Sequence, residues 1–249
     1  MYIARIPLDQ KGSVVEKQNQ WSIAKMENAN AEANLQEADG QLHQAQNDHK
    51  ASRLAIDSAI SAKKSAEQSA DMNRMNNAQG DLRKAEDAEK AAASRVKYFE
   101  AYRAYLKRYV RYTQENMYWR EAQYEDSKSS LAKANNVQPK GVNYTDFPKQ
   151  QEEREKRTNS AKEKAESEKN KAVAARQTWL SAQSVADKSS GRTGTMYDPM
   201  APKEGGPTAV GGGISQEKPD VVQPLKSNPT QPGPGGEGTG SSAPAPAPQ

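Results

Sequence analysis

The sequence predicts an all-α protein: an elongated antiparallel coiled-coil helical hairpin, a third packing helix and a Pro/Gly-rich C-terminal tail. Three observations carry this. Proline, which removes a backbone donor and clashes with the preceding helical turn, is absent between Pro7 and Pro139 and again between Pro148 and Pro199. Only 34% of the 249 residues are hydrophobic, against about 45–50% in ordinary globular domains, so narrow helical seams suit the chain better than a thick core. A small residue also recurs at seven successive heptads, Ala24, Ala31, Ala38, Ala45, Ser52, Ala59 and Ala66.

The elements follow in order. Residues 1–12 form a short N-terminal segment. Ser13 and Glu16 make a capping-box pattern that opens the first helix after Gly12. Beside the small residues, Trp21, Asn28, Leu35, Leu42, His49, Ile56 and Lys63 occupy the companion heptad position. The seam is therefore Ala24, Ala31, Leu35, Ala38, Leu42, Ala45, Ile56, Ala59 and Ala66, and its strict period implies a left-handed supercoil. His49 on that seam suits a register-fixing polar residue.

Residues 73–80, reading NRMNNAQG, are the expected hairpin turn, with Asp81 capping the second helix of a hairpin covering 13–136. Leu82, Ala85, Val96, Phe99, Leu106, Val110, Met117, Tyr124 and Leu131 fall on its heptad positions. Reversal near residue 78 would set Phe99 near Asp57, Leu106 near Lys50 and Val110 near Gln46. Bulky residues of the second helix would then meet the alanine seam of the first.

Residues 137–148, with Pro139, Gly141 and Pro148, read as a linker. A third helix over 149–187 carries Ala161, Ala165, Ala172, Ala175, Trp179, Ala182 and Ala186. Its charged first half is expected to be solvated or frayed, and its second half to bring Trp179 near Tyr105 and Tyr109. The tail, 188–249, is rich in Gly, Pro and Ala and is expected to be disordered, because such a composition does not offset the entropy of ordering the backbone.

No catalytic, cofactor or metal site is expected. The chain has no cysteine, and His43 and His49 stand six apart, whereas two ligands on one helical face need a spacing of three or four. Asp39 and His43 have that spacing but lack a third ligand. No transmembrane segment is expected either, because no stretch approaches about 18 consecutive apolar residues.

The segment Arg95–Tyr112 concentrates the charge. Arg95, Lys97, Arg103, Lys107, Arg108 and Arg111 against Glu100 make it more basic than the whole chain, whose net charge is +4. Tyr98, Tyr102, Tyr105, Tyr109 and Tyr112 alternate spacings of four and three, which draws a tyrosine stripe beside the apolar seam. The expected docking stripe is Tyr98, Tyr102, Arg103, Tyr105, Lys107, Arg108, Tyr109, Arg111, Tyr112 and Trp119. It could pack within the protein or a homo-oligomer, dock a protein partner, or lie against anionic lipid as a peripheral contact. The alternative is nucleic-acid binding, with arginines on phosphates and tyrosines on unpaired bases.

The expected function is therefore that of a non-enzymatic structural or scaffold protein that mediates protein association. The N-terminus shows no secretory signal, which taken literally means the cytoplasm. The body-plus-tail layout without cysteine nevertheless resembles, in composition, periplasmic coiled-coil proteins of bacterial envelopes. The apolar start Tyr2, Ile3, Ile6, Leu8 could open a mature lipoprotein.

Overall fold

The computed structural model describes residues 3–4, 6–69, 71–137, 141–192 and 196–201. The chain divides into two units, Met1–Met200 and Ala201–Gln249. Of the second unit only Ala201 is described, so the expectation of a disordered tail lies, from residue 202 onward, outside the described residues. The first unit is helical: a 3-10 turn Leu8–Lys11, then α1 Gly12–Gln68, α2 Met72–Ala134 and α3 Asp146–Ser190. Among the described residues there is no strand, and no helix is long and apolar enough to cross a membrane.

The start of α1 differs from the expected capping box. Lys11 is the N-cap and makes no side-chain cap bond, because the 3-10 turn runs straight into the helix and leaves Ser13 no first-turn donors to satisfy. The Ser13 hydroxyl instead lies 3.4 Å from that of Ser127 on α2. Ile3 and Ile6 are buried with Val14, Tyr124 and Ala132 at this end, so the apolar start of the chain packs against α2.

The hairpin turn also differs. α1 ends at Gln68, and Asp71 caps α2 by accepting from the backbone N–H of Asn73 at 2.9 Å and of Arg74 at 3.3 Å. Asn73–Gly80, expected to be the turn, forms the first turns of α2, and Asp81, expected to be the cap, accepts from Lys84 at 3.1 Å. The Asp71 carboxylate thus satisfies two of the orphan donors at the start of α2. Replacing Asp71 by Ala should lower stability by about 1 kcal/mol, and Asn should retain most of that. Chemical denaturation checks this, and an unchanged midpoint would reject the cap.

Pairs between α1 and α2 rise in number on one helix as they fall on the other, so the helices run in opposite directions. They are Ser13 with Ser127, Gln20 with Arg120, Asn28 with Thr113, Asp39 with Arg103, Asp48 with Arg95 and His49 with Glu89. All are centred near residue 70 rather than 78, which moves each expected partner about fifteen residues along α1, close to two heptads. Large still meets small: Leu42 and Ala45 pack with Tyr98 and Phe99.

The first half of α3, expected to be solvated, buries Thr158, Ala161 and Ala165. Arg154 lies over Tyr118 at 5.1 Å from the ring centroid. Farther along, Trp179 stacks on Tyr98, one heptad from the expected Tyr105. Gly191, with φ 67°, closes the helix in the left-handed conformation that glycine adopts without penalty.

Both α1 and α3 pack along α2, whereas no comparable packing joins α1 to α3. Their contacts fall on opposite flanks of α2: Phe99 and Thr113 toward α1, and Glu115 and Tyr118 toward α3. At about 100° per residue these sets stand roughly half a turn apart. The three helices thus make an open layer with α2 in the middle. By helical rise α3 ends opposite about residue 87 of α2, so the hairpin tip beyond it consists of α1 and α2 alone. There Ile56 and Ala59 are only half-buried and Leu54 is 68% exposed.

Candidate interaction surface

Between the two flanks of α2 runs the tyrosine stripe. Spacings of four and three hold side chains on one side of a helix, and the rings of Tyr98, Tyr102, Tyr105, Tyr109 and Tyr112 form a ladder with centroids 6.1, 6.2, 5.7 and 5.9 Å apart. Tyr102, Tyr105, Tyr109 and Tyr112 are half-buried. Tyr98 is fully buried, stacked on Trp179 at 5.2 Å with 6° between ring planes and 5.0 Å from Phe99. Tyr98, expected on the docking stripe, is therefore core. The third helix supplies a flat aromatic partner that covers it.

The head of the ladder is crossed by a strap, residues 196–200. Asp198 accepts from the Tyr98 hydroxyl at 2.8 Å, from Arg176 Nε at 2.6 Å and from the Met200 backbone N–H at 3.1 Å. The Tyr197 hydroxyl donates to Glu37 at 2.8 Å, and Met200 packs against the Tyr98–Trp179 cluster. Five residues so touch all three helices. Reading the whole of 188–249 as tail missed them. The available signal was a Met-Tyr-Asp-Pro-Met run, three large apolar or aromatic residues around an Asp-Pro turn in a stretch otherwise poor in them.

The environment of the ladder favours neutral phenols. Burial, then the hydrogen bond to Asp198, raises Tyr98 far above its ordinary value. Burial raises Tyr102, with Glu37 and Asp198 adding to it. Tyr105 is pushed up to about 12, first by burial and then by Tyr109 and Tyr102 beside it. Tyr109 and Tyr112 are raised mainly by burial, with Glu27 of α1 acting on both; on Tyr112 the neighbouring Tyr109 and Glu166 of α3 add to the rise and Arg120 opposes it. Both walls of the trough thus carry carboxylates.

The basic residues of the same segment go elsewhere. Arg103 pairs with Asp39 of α1, and Arg111 meets buried Glu115 at 2.5 Å. Arg108 and Arg111 line a groove of about 590 Å³ with Lys156, Arg157 and Lys164 of α3, and no tyrosine enters it. Lys107 is exposed. Trp119 is half-buried beneath the Arg120 guanidinium, 4.4 Å from its ring centroid. Residues interleaved in sequence therefore separate in space, with tyrosines in the trough and arginines outside it.

Comparison with protein-family models, curated proteins and solved structures finds no match. Of the seam, Ala24, Ala31, Ala38, Leu42, Ala45 and Ala66 are buried, while Leu35, Ile56 and Ala59 are half-buried. His49 Nε2 lies 2.9 Å from Glu89 Oε1 across the hairpin, and Asp39, weighed with His43 as a ligand pair, is taken by Arg103.

Proposed function

We propose that this protein is a non-catalytic coiled-coil spacer and scaffold that mediates protein association through the open tyrosine face of α2. The carrying observation is the half-buried ladder Tyr102–Tyr112, which neither outer helix covers. Large half-buried aromatics in a row are the side chains that dominate interface energetics. Three long helices in a layer suit spacing: α2, with 63 residues, is about 95 Å long. Self-association through the same face belongs to this proposal. So does a place in a bacterial envelope, which rests on composition and which recovery of the native protein with the cytosol would end.

A photo-crosslinking residue at position 109, introduced in native cells, should give a discrete protein adduct, and one at position 107, on the opposite side of α2, should give none. Absence of an adduct at both positions would sink protein docking. One observation favours a second reading, nucleic-acid binding: the groove containing Arg108, Arg111, Lys156, Arg157 and Lys164. An adduct at 107 abolished by nuclease, with affinity for nucleic acid falling steeply in salt, would favour it.

A further inference from the structure

Resting on the docking face proposed above, we infer that the trough over Tyr102–Tyr112 takes an extended, proline-containing peptide bearing Lys or Arg, contributed by a partner protein. The head of the ladder already seats one proline-containing segment of this chain. Tyr197–Met200 lies across its head with Pro199 half-buried, and it engages the trough through Asp198 on the Tyr98 hydroxyl and Met200 on the Tyr98–Trp179 cluster. It stops short of Tyr105, Tyr109 and Tyr112.

Spacing fits such a ligand. Tyr105 and Tyr112, seven residues apart, are separated by about 10.5 Å along the helix. A polyproline II strand presents the same face again after about 9.3 Å. Hydrogen bonding also selects it. Among the described residues no partner meets the hydroxyls of Tyr105, Tyr109 and Tyr112, and a polyproline II strand offers carbonyls unused by internal hydrogen bonds. An α-helix has already spent its carbonyls on its own backbone, so a fourth helix could meet these phenols with side chains alone.

Charge sets the last requirement. Glu27 on the α1 wall and Glu166 on the α3 wall bear on Tyr112, and Glu27 also bears on Tyr109. Of the cations on these helices, Arg103 is held by Asp39, and Arg120, which opposes the glutamates at Tyr112, donates to Gln20 and Gln123. A basic side chain beside the prolines would therefore meet carboxylates at either edge, whereas an acidic one would be disfavoured beyond the head of the ladder, where Arg176 neutralises Asp198.

The test is fluorescence anisotropy of the full chain with three labelled synthetic peptides: a Pro-Pro-Arg repeat, the same repeat with Glu for Arg, and an Ala/Lys-rich helical peptide. The arginine peptide should bind saturably and the glutamate peptide at least about tenfold more weakly. Tyr109→Ala should weaken the arginine peptide about tenfold and Tyr109→Phe, which keeps the ring, about threefold. Should Tyr109→Ala lose helicity, Glu27→Gln, at an exposed position, replaces it. It should weaken the arginine peptide about threefold and tighten the glutamate one. No saturable binding of the arginine peptide, or equal affinity in wild type, Tyr109→Phe and Glu27→Gln, would overturn the inference. Tighter binding of the helical peptide, lost in Tyr109→Ala, would overturn the ligand class while leaving the docking face in place.

Discussion

Trp179→Ala is expected to destabilise the unit by about 3–5 kcal/mol, and by more than truncation of any exposed residue of α3. The indole is 1% exposed and lies flat on Tyr98, where side chains from all three helices converge. Burying an aromatic of about 150–250 Å² contributes roughly 4–6 kcal/mol at about 25 cal/mol per Å². The Trp179 Nε1–H is buried without a hydrogen-bond acceptor, which returns about 1–3 kcal/mol. Trp179→Phe removes that donor and keeps a ring against Tyr98, so its cost should stay within about 1.5 kcal/mol. Urea unfolding followed by circular dichroism separates the two variants. A loss under 1 kcal/mol for the alanine variant would mean that α3 is not anchored there. Hydrogen exchange should also rise in residues 196–200, whose contacts with Tyr98 and Met200's cluster depend on the same stack.

Alkali should melt the fold in a defined window. Tyr98, Tyr102, Tyr105, Tyr109 and Tyr112 all have pKa values raised above the ordinary 10.0 by burial first. A phenol whose folded pKa exceeds its unfolded one contributes stability fully present below pH 10 and lost as pH rises through the folded value. For Tyr105 that window runs from 10.0 to about 12, and at about 1.36 kcal/mol per unit its loss is at most about 2.7 kcal/mol, reduced by solvent screening at a half-buried ring. The other ladder tyrosines act in the same direction. Tyrosinate absorbance should therefore lag the free amino acid and then rise cooperatively together with loss of helical circular dichroism. A smooth titration near pH 10 with helicity intact would show that the ladder is solvated. Tyr109→Phe removes one titrating group and should move the transition to higher pH.

The alanine heptads and the two proline-free windows made the helices and the buried face of α1 legible in the sequence, because heptad period and proline exclusion are local properties. Register was not legible. A slip of one or two heptads returns the same pattern of small and large residues, which is why the pairing centred on residue 78 and the placement of Trp179 beside Tyr105 both looked acceptable. The register is marked by Asp71, a single N-cap in a stretch where Asn and Gly draw attention farther along, and by the stack of Trp179 on Tyr98. The tyrosine stripe was legible as a stripe, but its division was not. Tyr98 became core because α3 supplied Trp179, and Arg103 left the stripe because α1 supplied Asp39. Neither partner is visible from α2's own sequence. The strap was hidden for another reason: Tyr197 and Asp198 have no periodicity, and their neighbours toward the C-terminus are Gly and Pro.

The open layer has a consequence for how the free energy of the unit is distributed. α1 and α3 each rest on α2 and hardly on one another, so they resemble the two ends of a three-unit array in which only neighbours interact. Substitutions confined to α1 and to α3, far from the strap, should then act additively, since no shared partner couples them. Substitutions at the buried positions of α2 that α3 overlies are less separable, because such residues stand between two interfaces. The middle helix is the molecule's common denominator: a change on either outer helix is felt at one interface, while a change at the buried centre of α2 is read twice.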